Sequence, residues 1–410
     1  MTLDIRGYDP ARDFDAVHRI WREVGWIDDS DGNKAALRRF GQMGDAEVGL
    51  IDGEAECFVH RTPGTIHYED TALPLCAITA VTTSHVGRKQ GFASTMTARA
   101  LRSGAEAGAA VGALGMFEQG FYDRFGFGTG SYDHQLTFDP SSLRVAHVPY
   151  RTPVRVTPED AADVQAAMAG RMKHHGAVVL DPVDLVAAEL GWAENGYGLG
   201  YRDRDGRLTH FFAGELKGEH GPFRINAIAY QTTGQLMELL RLLREPSDQI
   251  HSVTMVEPAE VQLQVLIDNP MRERHRSLKS ELESGNRGIA WWQLRVLDLH
   301  ACVAATEWSG APVEFTLELS DPLAERFVEG WRGIGGSYTV RVGTDAGVTN
   351  GATPGVPSLR CDVSAFTRLW FGVAPASSLA VTDRFDAPQE LCGALDRALR
   401  LPPVIPGWMF

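Results

Sequence analysis

Arg88-Lys89-Gln90-Gly91-Phe92-Ala93 lies between an apolar, β-branched run, Ala77-Ile78-Thr79-Ala80-Val81-Thr82-Thr83, and a run from Phe92 to Leu101 that contains neither Gly nor Pro. The first run reads as a short buried strand. In the second, Ala93, Met96, Ala100 and Leu101 fall near one helical face. The spacing therefore predicts strand, loop and helix, with the helix beginning at Gly91. A helix N-terminus leaves about four N–H groups unpaired and carries partial positive charge, so a glycine there lets a phosphate approach bare backbone. Arg88 and Lys89 add charge to the same place.

A second stretch, Gly120-Phe121-Tyr122-Asp123-Arg124-Phe125-Gly126-Phe127, follows downstream. Together the two resemble the signatures of the GNAT acetyltransferases. In that family an R-x-x-G-x-G/A loop binds the pyrophosphate of acetyl-CoA, and a later F-Y-x-x-x-G-F run carries a tyrosine beside the thioester sulfur. Here that tyrosine is Tyr122. Read without the upstream loop, Tyr122 would be an aromatic packed on a helix end.

The chain has 410 residues, 44% of them hydrophobic, which suits about three domains. It has no run of about 18 apolar residues, so no membrane span is expected. Met1 to Arg6 lacks a basic segment leading into an apolar one, so no secretory signal is expected either. Cys57, Cys76, Cys302, Cys361 and Cys392 are odd in number and widely spaced, which fits reduced thiols in a cytoplasm better than disulfides or a zinc site. A formal charge of −14 disfavours nucleic acid as a partner and favours cationic ones through long-range steering.

Residues 1–145 read as one mixed α/β domain. Asp9 and Pro10 start a helix bearing Phe14, Val17, Trp21 and Val24, and Asp52-Gly53 turns a hairpin within 47–60. Next come the Ala77 strand, the loop and its helix, a strand within 110–116, a helix at Tyr122 and a final strand near 134–138. Residues 146–288 repeat that grammar. Thr157 and Pro158 start a helix, Asp205-Gly206 centres a hairpin, a strand spans 223–230, and Leu236, Leu239, Leu240 and Leu243 mark a helix behind it. Yet Gln231-Thr232-Thr233-Gly234-Gln235 replaces the phosphate loop, so the second copy is expected to be degenerate and to wall the substrate site or support assembly. From about residue 289 to 410, Val313, Phe315, Leu317 and Leu319 alternate, as do Tyr338, Val340 and Val342. This predicts an antiparallel sheet, then a strand-to-helix passage over 361–372. That part resembles a sterol-carrier-protein-like α/β domain, and a filled core is expected of it rather than a lipid tunnel.

Tandem GNAT folds, a sterol-carrier-like domain and a short tail ending at Phe410 together resemble the Eis (enhanced intracellular survival) acetyltransferases, over essentially the whole chain. The resemblance implies an acetyl-CoA-dependent N-acetyltransferase acting on aminoglycoside-like or polyamine substrates, and a homo-hexamer. At matching positions it implies cofactor binding by Val81, Thr83, Arg88, Lys89, Gly91 and Ala93, a general acid at Tyr122 and a catalytic carboxylate on Phe410. Two positions depart from the pattern. Gln90 replaces a common basic residue of the loop, and Phe117 replaces a small polar cofactor contact.

The chemistry expected is direct transfer in a ternary complex, with a neutral amine attacking, a backbone N–H near Val81 to Thr83 steadying the oxyanion, and Tyr122 protonating the departing thiolate. Alkyl amines are protonated at neutral pH, so carboxylates are sought to bind and relay. Candidates are the terminus at Phe410, Glu118, and the cluster Asp28, Asp29 and Asp31, with Trp26 offering an aromatic face to a cation. A solvated loop is the plain alternative for the cluster, and a core or lid role for Trp26. Cys76 reads as a small core residue, Gly333 to Gly336 as a loop, and His174-His175 as no metal site, so no metal is expected. Acetylation of protein lysines and a non-catalytic lipid-binding or assembly role are the alternative functions.

Overall fold

The computed structural model describes residues 3–43, 45–193, 195–268, 270, 279, 280, 282–308, 311–327 and 330–408. Helix Pro10–Glu23 starts as the sequence predicts. Asp9 accepts from the Ala11 N–H, Pro10 takes the first turn, and Phe14, Val17 and Trp21 are buried. Strands Asp45–Ile51 and Glu54–Tyr68 pair antiparallel about the Asp52-Gly53 turn, where both residues have positive φ. Glu54–Tyr68 then pairs along its length with Thr71–Thr83, which is longer than the run recognised in the sequence. The first sheet runs in the order Asp4–Gly7, Asp45–Ile51, Glu54–Tyr68, Thr71–Thr83, Val111–Gly115, Trp292–Val296, Gly128–Thr129, with Val178–Leu180 added against Glu54–Tyr68.

Three strands leave the segments bounded at 145 and 288, and Val178–Leu180, already placed in the first sheet, is one of them. Asp133–Phe138, expected to close the first domain, lies in the second sheet between Val253–Val256 and Gly285–Ile289. Its Leu136 and Phe138 pack in one apolar cluster with Phe223, Val253 and Met255. In the other direction, Trp292–Val296 enters the first sheet beside Val111–Gly115, and Trp292, Leu294 and Val296 are all buried.

The second sheet continues through Phe223–Ala229, Leu208–Leu216, Gly196–Arg202 and Val154–Val156. On it lie helices Ala161–Gly170, Val183–Trp192 and Thr233–Arg244, the last burying Leu236, Leu239, Leu240 and Leu243 as expected. The third sheet pairs Val313–Ser320 antiparallel with Gly336–Val342 but parallel with Ser358–Asp362, so it is mixed rather than purely antiparallel. Helix Val363–Trp370 follows that strand directly, and its Phe366, Leu369 and Trp370 fill the core beneath. The whole is a mixed α/β chain with tandem GNAT-like folds. Among the described residues no helix is long and apolar enough to cross a membrane.

Candidate active site

The site begins where two parallel strands stop pairing. Thr71–Thr83 and Val111–Gly115 run together from Leu75↔Val111 to Ile78↔Leu114 and no further. Thr71–Thr83 stays on its antiparallel partner as far as Cys57↔Thr83. Val111–Gly115 is held on its other side by Trp292–Val296. The two strands therefore splay, and on the side facing Val111–Gly115 the backbone of residues 79–83 has no strand partner among the described residues. A bulge marks the divergence, because His60 pairs with Ala80 and Arg61 with Ile78, leaving Thr79 as the extra residue.

Thr79 is held by a network the sequence did not signal. Buried His60 donates from Nε2 to the Met43 carbonyl at 2.6 Å, which leaves Nδ1 to accept from the Thr79 hydroxyl at 2.6 Å. Burial pushes the His60 imidazole down to about 4, so it is neutral at physiological pH.

Beyond Thr83 the chain turns through the predicted loop. The Ser84 N–H donates to the Glu56 carbonyl, the Gly87 N–H to Ser84 Oγ, and the His85 N–H to Glu23 Oε2. Arg88, Lys89, Gln90 and Gly91 are exposed. Gly91 is the N-cap of helix Phe92–Glu106 with φ of 91°, and no side chain caps that end. Its first-turn N–H groups are thus left for a ligand, beside Arg88 and Lys89. A side chain at Gly91 would meet only Leu3, at 4.0 Å, yet its left-handed backbone suits glycine. This geometry fits a pyrophosphate.

Tyr122 precedes a single 3₁₀ turn, Asp123–Phe125, rather than the helix expected there. It is buried in the same apolar cluster as Val59, Ile78 and Met96, with Val81 and Ala93 packed against that cluster. Its ring meets Phe121 edge-on at 4.9 Å. Burial, with Glu118 adding negative charge, pushes the phenol up to about 12. The structure thus brings Tyr122, Val81 and Ala93 together around one core, with Thr83 at the end of the same strand.

The turn after Tyr122 is fastened by the inserted strand. Gln293 Nε2 donates to Asp123 Oδ1 at 2.8 Å and to Thr129 Oγ1 at 3.3 Å. Arg295 donates to the Phe125 carbonyl and pairs with Asp321 at 2.5 Å, both side chains fully buried. Sequence reasoning passed over both residues. Their signal was two polar side chains set between Trp292, Leu294 and Val296.

The substrate-side candidates divide. Glu118 is exposed near Tyr122. Trp26 is half-exposed and stands edge-on to Trp21 at 5.1 Å. Asp28 accepts from the Ser30 N–H and Asn33 Nδ2, which hold its carboxyl down at about 2. Asp29 meets Lys34 at 2.9 Å and Arg22 at 3.5 Å. These two carboxylates are thus engaged in ordering the entry to helix Asp31–Gln42. Phe410 lies outside the described residues. The tail before it is docked as far as Trp408, with the Pro406 carbonyl accepting from the Val178 N–H and from Arg171. Cys76 is buried and its thiol is pushed up to about 12, which suits core packing and not nucleophilic attack. His175 bridges the Glu69 N–H and the Phe371 carbonyl.

Residues 5–130 match the acetyltransferase (GNAT) domain family. No curated protein matches the chain. Among solved structures, a probable N-acyltransferase from Enterococcus faecalis is 18% identical with a TM-score of 0.78, over 98% of this chain and 99% of that one. A GCN5-related N-acetyltransferase from Kribbella flavida is 16% identical with a TM-score of 0.74, over 100% and 99%. Eis1 from Mycobacterium abscessus is 18% identical with a TM-score of 0.74, over 100% of both chains. Residues 5–130 are an acetyltransferase domain of the GNAT type, and the chain around them has the fold of an Eis-like GNAT acetyltransferase.

Proposed function

We propose that the protein transfers an acetyl group from acetyl-CoA to a primary amine of a small cationic multi-amine, aminoglycoside-like or polyamine, by direct attack in a ternary complex. The observation that carries this reading is the uncapped Gly91 helix end following a strand that splays from its parallel neighbour, with Tyr122 buried in the apolar cluster the strand and helix share. Bound acetyl-CoA supplies the thioester. Arg88, Lys89 and the N–H groups after Gly91 hold its pyrophosphate, and residues Val81 to Thr83 offer backbone N–H groups to the pantetheine arm and to the developing oxyanion. The C–N bond forms as the C–S bond breaks, and Tyr122 gives its proton to the departing sulfur. The proton shed by the amine leaves through water toward Glu118 or the carboxylate of Phe410. Trp26 offers its exposed face to the substrate cation.

The protein's net charge of −14 supports a cationic substrate gathered by long-range attraction. We assign the cytoplasm as its compartment and a homo-hexamer as its assembly on the family resemblance. An acetyl-CoA consumption assay across aminoglycosides, polyamines and lysine-containing peptides tests the reading. Turnover on the first two classes is expected. Turnover on peptides alone would replace it with protein lysine acetylation, and tight cofactor binding without turnover on any amine would end the enzymatic reading.

A further inference from the structure

The segment that follows strand Val313–Ser320 of the third sheet lies against helix Phe92–Glu106 of the GNAT domain. Asp321 pairs with Arg295, which also holds the Phe125 carbonyl, and Leu323 is buried in the same apolar cluster as Tyr122, Phe125 and Met96. Phe327 and Trp331 pack against that cluster, and the Trp331 N–H donates to Glu106 Oε1 at 3.1 Å. The segment is thus pinned along the helix on both sides of one charged side chain, Arg326.

Arg326 reaches toward the cofactor end of that helix. Its Nη1 donates to Ser94 Oγ at 3.5 Å, and its guanidinium carbon lies 4.9 Å from the centre of the Phe125 ring. Arg124 rests in the same way on Phe121, at 4.8 Å, and the two rings meet edge-on at 5.6 Å. Two guanidiniums are therefore held on neighbouring aromatic rings. Desolvation, with the like charge of Arg124 added, holds the Arg326 guanidinium below its ordinary value. Neither has a carboxylate partner among the described residues. The other arginines of the helix do, since Arg99 pairs with Glu47 and Arg102 with Glu106. Like charges left together in a chain of formal charge −14 call for an anion.

The cofactor has one to offer. Ser94 lies three residues past Gly91, about 4.5 Å along the helix axis from the end that receives the pyrophosphate. The next anion of acetyl-CoA is its 3′-phosphate, one ribose away. As a phosphate monoester it carries about −1.5 to −2 at neutral pH, so it draws more than one cation. Arg88 and Lys89 are matched to the pyrophosphate, and Gln90 adds no charge, its amide donating to the Val86 carbonyl at 3.4 Å. A guanidinium fork meets phosphate oxygens two at a time.

We infer that Arg326, from outside the GNAT domain, and Arg124, from the turn after Tyr122, form a subsite for the 3′-phosphate of the cofactor, so that the protein selects CoA over its 3′-dephospho form. This rests on the cofactor reading above and gives the third sheet's segment a part in cofactor choice.

Calorimetric titration of the full chain with CoA and with 3′-dephospho-CoA tests it. The unmodified protein is expected to bind CoA about tenfold or more tighter, the scale of charge-assisted hydrogen bonds. Both arginines are exposed, so their variants should fold. Arg326→Gln and Arg124→Gln should each weaken CoA several-fold and leave 3′-dephospho-CoA unchanged. Arg88→Gln, which removes a pyrophosphate contact common to both ligands, should weaken the two alike. Equal binding of the two ligands by the unmodified protein would overturn the inference without any variant. A preference that keeps its full size in Arg326→Gln or in Arg124→Gln, or that is lost in Arg88→Gln, would place the 3′-phosphate elsewhere and overturn it too. Each of these failures leaves the cofactor reading standing, whereas a chain that binds neither ligand would remove that reading and this inference together.

Discussion

Tyr122 differs from a tyrosine in water in one respect that matters for acid catalysis. Burial raises its phenol to about 12, so it keeps its proton where a free phenol, near 10, begins to lose it. The same desolvation raises the proton affinity of a thiolate leaving into that core, so donor and acceptor stay matched. Tyr122→Phe should leave acetyl-CoA affinity intact and lower kcat by about 10²–10⁴-fold, the usual worth of a general acid. The sign of the pH effect follows from the raised value. The protonated form is the active one, so kcat should show no alkaline decline assignable to Tyr122 up to about pH 10. A decline near pH 9 that vanishes in Tyr122→Phe would refute the raised value, and an unchanged kcat in Tyr122→Phe where chemistry limits the rate would refute the assignment. At Gly91 the backbone has φ of 91° and the space around it is open, so the effect of a side chain there is conformational and electrostatic, not a clash. Gly91→Glu should raise the calorimetric Kd for acetyl-CoA by well over tenfold, since it sets a like charge against the pyrophosphate. An unchanged Kd in a folded variant would remove this loop from the cofactor site.

At the scale of elements, the strand Trp292–Val296 ties the catalytic turn to the rest of the chain. Gln293 and Arg295 alternate with buried apolar residues, a pattern that reads locally as a half-exposed strand. Both faces are in fact covered, and the polar face holds Asp123 and Phe125 on either side of the turn that follows Tyr122. Period-two alternation tells which residues share a face, not which sheet receives them. The loop at Gly91 was legible because its meaning is local, whereas this insertion depends on pairing with residues 111–115, far away in sequence. Gln293→Met keeps the volume and removes the bonds to Asp123 and Thr129. It should lower kcat about tenfold, the cost of one such hydrogen bond, with little change in KM for acetyl-CoA. Equal losses in kcat and thermal stability, or a KM effect alone, would mean that the strand is only scaffold. His60 makes the neighbouring bulge sensitive to acid. Its folded value of about 4 lies below the unfolded one near 6.5, so the unfolded chain binds the proton first. Stability supplied by neutral His60 is complete above about pH 6.5 and is lost as pH falls toward 4, by about 3 kcal/mol in the limit. Denaturant titrations should show a shallower decline over that window in His60→Gln than in the parent.

Over the whole molecule, the repeat of helix, hairpin, strand and helix was legible because each copy carries its own caps and turns, Asp9-Pro10 and Thr157-Pro158, Asp52-Gly53 and Asp205-Gly206. The exchange of strands between sheets was not, because it is decided by packing between segments more than a hundred residues apart. The same packing fixes the C-terminal tail. Val404 and Trp408 are buried, Val404 donates to Ser131 Oγ, and the Pro406 carbonyl closes a ring of acceptors around buried Arg171, whose other bonds go to the Met168 and Val178 carbonyls. A guanidinium whose hydrogen bonds among the described residues all go to carbonyls is costly to bury, and burial holds it down at about 10. Removing residues 404–410 would strip one acceptor, flood the others with water and delete two core side chains, Val404 and Trp408, so this truncation should lower Tm and broaden the transition. Deleting Phe410 alone leaves every one of those contacts in place. If the terminal carboxylate takes part in the chemistry, that single deletion, or a short tag added after Phe410, should lower kcat while Tm and acetyl-CoA affinity stay at their original values. An α-carboxyl near 3.5 is a weak base by itself, so its part would be to hold the ammonium and pass its proton to water. A tagged enzyme that is fully active on several amines, beside a long truncation that merely melts earlier, would assign the tail to the fold and leave Glu118 as the remaining carboxylate near Tyr122.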